Sequence, residues 1–449
     1  MPLSVAELQT VLQDLFFDTA DRLARETGFC QRVRKLPGAV FAQSLVFCLL
    51  ENPDASLDDF SLFAFEHLGV DASAQAFDDR FTPQAACLLR QLFFEALDRS
   101  FNSTRAALLP LLRRFQGVYV RDGVLIRLPA CLAGLFPGRK GHGPAASGAA
   151  VKLVLEMEVA TGQFTAVSEL VGRANEKTAE AAWQPLPPGA LLLEDMGFFS
   201  GERLQMYIKQ GVYILTRIPV WTVMYTPKGK PLNLVKLLRR AKGHQLQRQV
   251  RILHKDKVLL RLLAVRVPEK VAEERRERVR REAKERGRAV SQKKLELCAW
   301  NVLLSNAPRA MLSLWEACDL RRVRWQVELV FKLFKSEGGL ERTRSENPWR
   351  VLSEMYAKLL AMVVQQWLLL AAGYVMLKHS ARRAARRVRQ RAGEVVRALN
   401  SLEGLGWEVV RLHRVLRRHC TIKRRRCTPS TYDRLAALDP QGEHLAHAA

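Results

Sequence analysis

The distribution of apolar positions divides the chain into a helical beginning, an α/β middle and a helical end. Residues 4–105 carry the helical repeat of apolar positions. Helix starts are predicted at Ser56-Leu-Asp-Asp59, which has the spacing of a capping box, and at Thr82-Pro83, an N-cap followed by proline. The short segment 71–81 precedes another long helix in the manner of a helix-turn-helix unit, an array that is as often part of a generic helical bundle. We therefore predict an N-terminal helical domain, residues 1–110, for DNA binding or docking.

From Gly117 the periodicity changes to that of β-strands. Three runs rich in β-branched residues are separated by Gly- and Pro-rich turns, at residues 117–128, 151–159 and 164–171. Helices and strands then alternate, at residues 175–183, 190–195, 202–210 and 212–217. Three consecutive strands followed by this alternation predict an α/β fold (α+β overall), with an RNase H-like mixed-sheet core at residues 111–340.

The α/β pattern is interrupted between residues 219 and 299. A hairpin is predicted at residues 250–253 and 257–267, followed by a charged helix, 269–286, with too little apolar surface to be core. We expect these residues to form a β-rich insertion, an appended subdomain that ends at the strand beginning with Trp300. The C-terminal region, 341–449, is predicted to be helical and basic and to serve DNA binding, oligomerisation or both.

An apolar run at residues 359–377 is about long enough to span a bilayer. Gln365 and Gln366 lie in its middle, and the same helical pattern continues back through Arg350, Glu354 and Lys358. This pattern favours a buried core helix and no membrane partner.

Charge and cysteine content narrow the class of protein. The 449 residues carry a formal net charge of +26, with a pI near 10.2, which implies a polyanionic partner; nucleic acid is favoured over an anionic membrane surface. Eight cysteines without a C-x-x-C pair indicate reduced thiols, and the N-terminus lacks a signal peptide. We therefore expect an intracellular protein.

Residues 321–335 predict one helix with two faces. At roughly 100° per residue, an apolar stripe lies beside a narrow polar one that holds Arg324, Glu328 and Lys335; the stripe contains Val323, Val327, Val330, Phe331 and Phe334. A single carboxylate between two cations is typical of a salt bridge, or of one corner of a larger cluster of acids.

Of two further acids, Asp122 ends or interrupts a predicted strand, and Asp195 ends a second one. Asp122 is followed by Gly123, and Asp195 by Met-Gly-Phe-Phe. Side chains at strand ends project into a crevice, so these two acids and Glu328 could form a carboxylate cluster. Oxygen-only ligands suit Mg²⁺ or Mn²⁺, and two such ions about 4 Å apart can support phosphodiester cleavage. The alternative, in which each acid is separately solvated or ion-paired, stays open on spacing alone.

These motifs resemble those of bacterial DDE transposases of the insertion-sequence-4 type. That family's signature has an aspartate after a first strand, an aspartate followed by glycine and aromatics, and Tyr-(2)-Arg-(3)-Glu-(6)-Lys. Asp122, Asp195, and the spacing of Arg324, Glu328 and Lys335 match it over roughly residues 20 to 380. The resemblance implies a catalytic, metal-binding triad of Asp122, Asp195 and Glu328, with two metal ions.

The resemblance also implies DNA contacts. Arg324 and Lys335 would contact phosphates, as would Arg217, and Trp300 would stack on a flipped base unless it is a buried strand tryptophan. Lys152 matches a family lysine of less defined role. Arg321 stands where the signature has tyrosine, so a second guanidinium replaces the aromatic hydroxyl contact to phosphate and would keep the affinity for DNA.

The implied function is an enzyme, a Mg²⁺-dependent transposase. It would bind the terminal inverted repeats of an insertion sequence as a dimeric or higher synaptic complex, cut a strand at each end and transfer it to target DNA. Two alternatives remain: a catalytically inactive or domesticated DNA-binding regulator, and an RNase H-like nuclease without strand transfer. The repeat and target sequences cannot be obtained from the chain itself.

Overall fold

The computed structural model describes residues 3–32, 35–99, 109–138, 148–220, 222–252, 258–285, 287–375, 378–422 and 431–436. Within helix 314–336, most of the predicted apolar stripe (Val327, Val330, Phe331 and Phe334) lies outside the described side chains. The described chain divides into two compact units. The first unit comprises Met1–Leu108, Asp122–Ala181 and Gln326–Ser430, and the second comprises Leu109–Arg121, Ala182–Trp325 and Thr431–Ala449.

The elements of the first half begin with helices and change to strands after residue 117. The N-terminal helices are α1 Val5–Gln13, α2 Ala20–Glu26, α3 Gly38–Glu51, α4 Leu57–Leu68, α5 Ala74–Asp78, α6 Pro83–Asp98 and α7 Pro110–Arg113. The following elements are β1 Val118–Leu128, β2 Ala149–Glu158, β3 Phe164–Val171, β4 Leu191–Glu194, α8 Gly201–Lys209 and β5 Tyr213–Arg217.

The second half contains the predicted insertion and the C-terminal helices. The insertion and the strand after it consist of β6 Met224–Tyr225, β7 Pro231–Leu232, α9 Leu234–Arg239, β8 Gln245–Ile252, β9 Val258–Arg266, α10 Glu269–Glu285, α11 Gln292–Leu297 and β10 Trp300–Ser305. The remaining helices are α12 Leu314–Ser336, α13 Pro348–Ala371, α14 Ala381–Arg389, α15 Ala392–Arg397, α16 Leu402–Val415 and α17 Thr431–Ala436.

The predicted helix starts of the N-terminal region are confirmed. Ser56 accepts a hydrogen bond from the backbone N–H of Asp59, whose side chain accepts in return from Ser56, which completes a capping box. Thr82 caps α6, with Pro83 at its first position. Local polar chemistry therefore fixes where these helices begin.

The fold class is confirmed as a mixed α/β sheet of RNase H-like pattern. Three consecutive strands, β1 to β3, are followed by β4, α8 and β5. In the second unit β4 runs parallel to both β1 and β5, and in the first unit β2 and β3 pair antiparallel. The parallel pairs need crossover connections, which the segments between them provide.

The predicted helix at residues 175–183 is wrong. Two 3₁₀ turns, Glu176–Thr178 and Glu180–Trp183, occupy this segment, with extended backbone at Ala179 between them. The N–H of Ala181 donates to the hydroxyl of Ser168 at 2.7 Å instead of to a helical carbonyl. A tertiary hydrogen bond thus replaces the helix.

The insertion is not appended beside the sheet of the second unit, as predicted, but continues it. β8 pairs antiparallel with β9, β9 with β10, and β10 with β5. The predicted hairpin and charged helix are present as β8, β9 and α10, and residues 253–257 lie outside the described part. The predicted domain boundaries stay a prediction, because the two compact units are discontinuous in sequence.

Helix α13 is the centre of the first unit. Its residues Arg350–Ala371 are buried, and it packs against α3 and α6. Two of its buried charged groups are paired within this unit: Arg350 pairs with Glu354 at 2.8 Å, and the Lys358 ammonium donates to the carbonyls of Gly339 and Arg342. The predicted core helix is confirmed.

Searched across the described residues, the chain contains no helix of the length and apolarity that a membrane crossing requires.

Shortening a side chain of α13 should destabilise the first unit. Leu360 is fully buried, so Leu360→Ala should lower the free energy of unfolding by about 2–5 kcal/mol through lost burial and a residual cavity. Leu402→Ala, at a side chain that is 51% exposed, is the control and should change the free energy of unfolding little. Chemical denaturation followed by circular dichroism measures both, and equal effects would contradict the assignment of α13 to the core.

Candidate active site and nucleic-acid interface

Asp122 lies inside β1 and not at its end. Its Oδ1 accepts a hydrogen bond from the N–H of Gly123 at 3.0 Å. A Cβ atom on Gly123 would lie 2.9 Å from the carboxylate carbon of Glu176, so glycine gives that side chain room beside the strand. The Asp-Gly pair of the sequence motif therefore has a local steric reason.

Asp195 follows β4 directly, as predicted, and precedes the 3₁₀ turn Met196–Phe198. Its Oδ1 is buried and accepts no hydrogen bond from the described residues. A buried carboxylate oxygen without a donor is costly unless a cation or another ligand satisfies it. This oxygen is therefore suited to bind a cation.

A buried ion network lies immediately before Asp122 and Asp195 in the sequence, within the second unit. Arg121 is fully buried and pairs with Glu194 at 3.2 Å, and Arg203, which is 1% exposed, pairs with the same carboxylate. Arg121 also donates to the carbonyl of Ala182 at 2.9 Å, and Arg203 to that of Phe198 at 2.6 Å. The network joins β1, β4, α8 and the turn after Asp195.

Sequence reasoning missed this network, although a signal was available. Arg121 and Glu194 each directly precede a predicted catalytic aspartate in an otherwise apolar strand. Their side chains must point away from those of their neighbours, because successive residues of a strand face opposite sides. Two opposite charges on neighbouring parallel strands could therefore have been expected to pair.

Glu328 lies on α12 and is paired, with 22% of its side chain exposed. The ammonium of Lys332, one turn later, lies 2.6 Å from its carboxylate. Lys335 donates to the carbonyl of Leu125 at 3.0 Å and pairs with Glu341 at 2.8 Å. The described ion-pair partner of Glu328 is thus Lys332, which the sequence prediction did not include.

The three predicted acids are divided between the units. Asp122 and Glu328 belong to the first and Asp195 to the second. Within the described ranges, no group of three or more His, Cys, Asp or Glu side chains is arranged to hold a metal ion. Their sharing of metal ions therefore stays a prediction.

Lys152 and Trp300 are both buried. Lys152 is 4% exposed, donates to the carbonyl of Ala174 at 2.6 Å and lies 3.7 Å from the carboxylate of Glu176. Trp300 is 9% exposed at the start of β10 and packs in the apolar core of the second unit. Trp300 thus has the environment of a buried strand tryptophan, one of the two alternatives for this residue. Lys152 connects β2 to the loop that contains Ala174 and Glu176.

Three predicted DNA contacts do meet in one place. Arg217, Arg321 and Arg324 line a cavity of about 370 Å³ in the second unit. Sequence reasoning missed the other lining arginines, Arg275, Arg322 and Arg434. A cavity lined by guanidinium groups is suited to bind phosphate, because each guanidinium offers several N–H donors in one plane.

Residues 120–364, more than half of the chain, match the family model described as Transposase DDE domain. The chain therefore belongs to this family, which confirms the resemblance to bacterial DDE transposases of the insertion-sequence-4 type. It is a transposase, an enzyme of DNA cleavage and strand transfer. Family membership implies use of a divalent metal, and DNA is the partner.

Similar proteins are transposases of bacterial insertion sequences. The transposase for insertion sequence element IS231B of Bacillus thuringiensis subsp. berliner is 25% identical over 77% of this chain and 75% of its own length. The transposase for insertion sequence element IS1151 of Clostridium perfringens is 21% identical over 82% of each chain. Among solved structures, the piggyBac transposase synaptic complex with hairpin DNA has a TM-score of 0.47 at 10% identity, covering 92% of this chain and 84% of that one.

Removing the central carboxylate of the buried network should destabilise the second unit. Glu194→Ala leaves the guanidiniums of Arg121 and Arg203 buried without a counter-charge, which should lower the free energy of unfolding by about 3–5 kcal/mol. Glu202→Ala, at an exposed acid of α8, is the matched control. Urea denaturation measures both, and a Glu194→Ala protein as stable as the control would show that the network does not hold these strands.

Proposed function

We propose that this transposase binds the terminal inverted repeats of its insertion sequence and cuts and joins DNA with Asp122, Asp195 and Glu328. The observation that carries the proposal is the position of the two aspartates. In the second unit Val120 of β1 is opposite Leu193 of β4, and Arg121 pairs with Glu194. Each aspartate directly follows a residue of this pair, Asp122 after Arg121 and Asp195 after Glu194.

The donor set fits a hard divalent cation. All three proposed ligands are carboxylates, which suit Mg²⁺ or Mn²⁺, and Asp195 offers a buried oxygen that the described residues leave without a donor. When bound, two such ions would lower the pKa of a water and stabilise charge on the leaving oxygen. Glu328 would exchange its contact with Lys332 for this role.

The reaction consists of successive displacements at phosphorus. In the first, a water oxygen bonds to the phosphorus at the element's end as the 3′ oxygen leaves and takes a proton. The freed 3′-OH then attacks a phosphorus of the opposite strand, which forms a hairpin and releases the 3′ oxygen of the flanking DNA. A second water opens the hairpin and regenerates the 3′-OH, which attacks a phosphorus of target DNA and releases a 3′ oxygen of the target. Each step exchanges one P–O bond for another, so catalysis depends on positioning and on stabilising negative charge.

The arginines that line the cavity of the second unit would position the DNA for these steps. Arg217, Arg321 and Arg324 would hold phosphates of the transposon end. Arg321 supplies a guanidinium where the family signature has tyrosine, so it keeps phosphate affinity with a changed geometry. Lys335 would have to leave Leu125 and Glu341 to reach DNA.

The remaining features concern the assembly. Transposition joins two ends of one element, so we propose a homodimer in a synaptic complex. The basic stretch from Lys378 to Arg426 would track phosphates of donor or target DNA, and its affinity should fall steeply with salt. Because the substrate is DNA, we expect the protein in the bacterial cytoplasm, associated with the nucleoid when it is bound to DNA. The inactive-regulator alternative is not favoured, because all three acids are retained.

Neutralising an acid of the triad should abolish chemistry and spare binding. With supercoiled DNA carrying both element ends and Mg²⁺, Glu328→Gln should lower the cutting rate by at least about a thousandfold, because a metal ligand is lost. Asp195→Asn should behave alike. Glu337→Gln, an ion-paired carboxylate of similar exposure in the same unit, is the control and should cut normally. Loss of end binding by Glu328→Gln, measured by gel shift, would show that Glu328 is structural.

Trp300 can be tested by separating the steps of the reaction. Trp300→Ala should slow hairpin formation more than first-strand nicking if the indole stacks on a flipped base, by about tenfold or more. Trp300→Phe should restore most of the difference because it keeps an aromatic face. Rates of each step on end-labelled DNA measure this, and equal loss at both steps, together with a lower Tm, would assign Trp300 to the core alone.

A further inference from the structure

The sheet of the second unit places Asn301 and Arg217 on one face. Arg217, the last residue of β5, is opposite Leu303 of β10. Asn301 lies two residues before Leu303, and alternate residues of a strand face the same side. Both side chains line the arginine cavity, and Arg275 from α10 and Arg321 from α12 approach it from the covering helices.

One amide oxygen joins two of these arginines. The Oδ1 of Asn301 accepts a hydrogen bond from Nη2 of Arg275 at 3.0 Å and another from Nη1 of Arg321 at 2.9 Å. Arg275 also donates through Nη1 to the carbonyl of Cys298 at 3.3 Å. Asn301 thus fixes two guanidiniums, one from the insertion and one from the signature helix, without neutralising either charge.

The charges around Arg321 are predominantly positive. Burial, together with the nearby Arg217 and Arg275, lowers the pKa of Arg321 to about 10. Burial and Arg217 likewise lower the pKa of Arg275. Cations held this close repel one another, so a bound anion would relieve a cost that the free protein carries.

The acidic residue among the described residues that line the cavity lies beside two further arginines. Asp319 is 3% exposed, and its Oδ1 lies 3.8 Å from both Arg322 and Arg434. The Arg217, Arg275 and Arg321 side of the cavity is therefore lined by guanidiniums and the neutral Asn301 amide. This arrangement suits one compact, strongly charged anion that accepts several hydrogen bonds.

We propose that Asn301 is a positioning residue that holds Arg275 and Arg321 beside Arg217 so that the three guanidiniums bind one phosphate group of DNA. Arg275 is then a further DNA contact, contributed by the insertion. The proposal rests on the proposed function, in which DNA ends are the substrate. It deepens that function by adding a residue that touches phosphate and a neutral residue that acts only through its two arginines.

The first experiment tests the contact made by Arg275. Binding of a duplex carrying one terminal inverted repeat is measured over a series of KCl concentrations for wild type, Arg275→Gln and the control Arg281→Gln, an exposed arginine of the same helix. Arg275→Gln should weaken binding by about tenfold and reduce the slope of log K against log [KCl] by about 1, since one phosphate contact is lost. Arg281→Gln should leave both unchanged. Arg275→Gln behaving like the control would overturn the contact.

The second experiment separates positioning from folding. Asn301→Asp keeps the acceptor oxygens and adds a charge that pairs with both arginines, so its Tm should equal or exceed that of wild type. Its affinity for the duplex should nevertheless fall by about tenfold or more, because the new carboxylate occupies the guanidiniums and repels phosphate. Asn301→Ala should lower both Tm and affinity. A stable Asn301→Asp protein that binds DNA like wild type would overturn the proposal.

The remaining arms separate this inference from the function on which it rests. Wild-type protein that neither prefers the repeat duplex nor cuts it with Mg²⁺ would overturn both. Wild type that binds and cuts, with Arg275→Gln and Asn301→Asp equally active in binding, would overturn the inference alone. Inorganic phosphate that raises the Tm of wild type but not of Asn301→Asp, while Arg275→Gln still binds DNA normally, would assign the cavity to free phosphate and exclude the DNA contact.

Discussion

The parallel register of β1 and β4 is the constraint on which the proposed active site depends. A slip of one residue would turn every side chain of a strand to the opposite face. Here a slip would also move Arg121 away from Glu194 and leave charges buried without partners, which costs several kcal/mol. The network therefore penalises every alignment of these two strands except the one in which Arg121 pairs with Glu194.

Features set by local chemistry could be predicted from the sequence, and those set by distant partners could not. Caps such as Ser56 and Thr82, and strands such as β2 and β5, depend on short patterns and were predicted within a few residues. The turns at residues 176–183 depend on a hydrogen bond to Ser168, and the place of the insertion depends on pairing between β10 and β5. No local pattern carries that information.

The same division applies to the functional residues. Motif spacing pointed to the acids Asp122, Asp195 and Glu328. It also pointed to three arginines that line a common cavity, Arg217, Arg321 and Arg324. It did not single out Arg275, because α10 carries many arginines and the sequence does not say which of them turns toward the sheet. Nor did it show that Lys152 is enclosed, because a lysine in a strand is exposed in most proteins and burial is decided by the neighbouring loop.

The order of strands in the second unit also has a consequence for how the chain folds. β5 is synthesised before the insertion and its partner β10 after it, so one edge of β5 stays open until that long segment has been made. Contacts between such distant segments form slowly, and an open strand edge favours pairing with other chains. Premature termination within the insertion should therefore yield an aggregating fragment and not a smaller working domain.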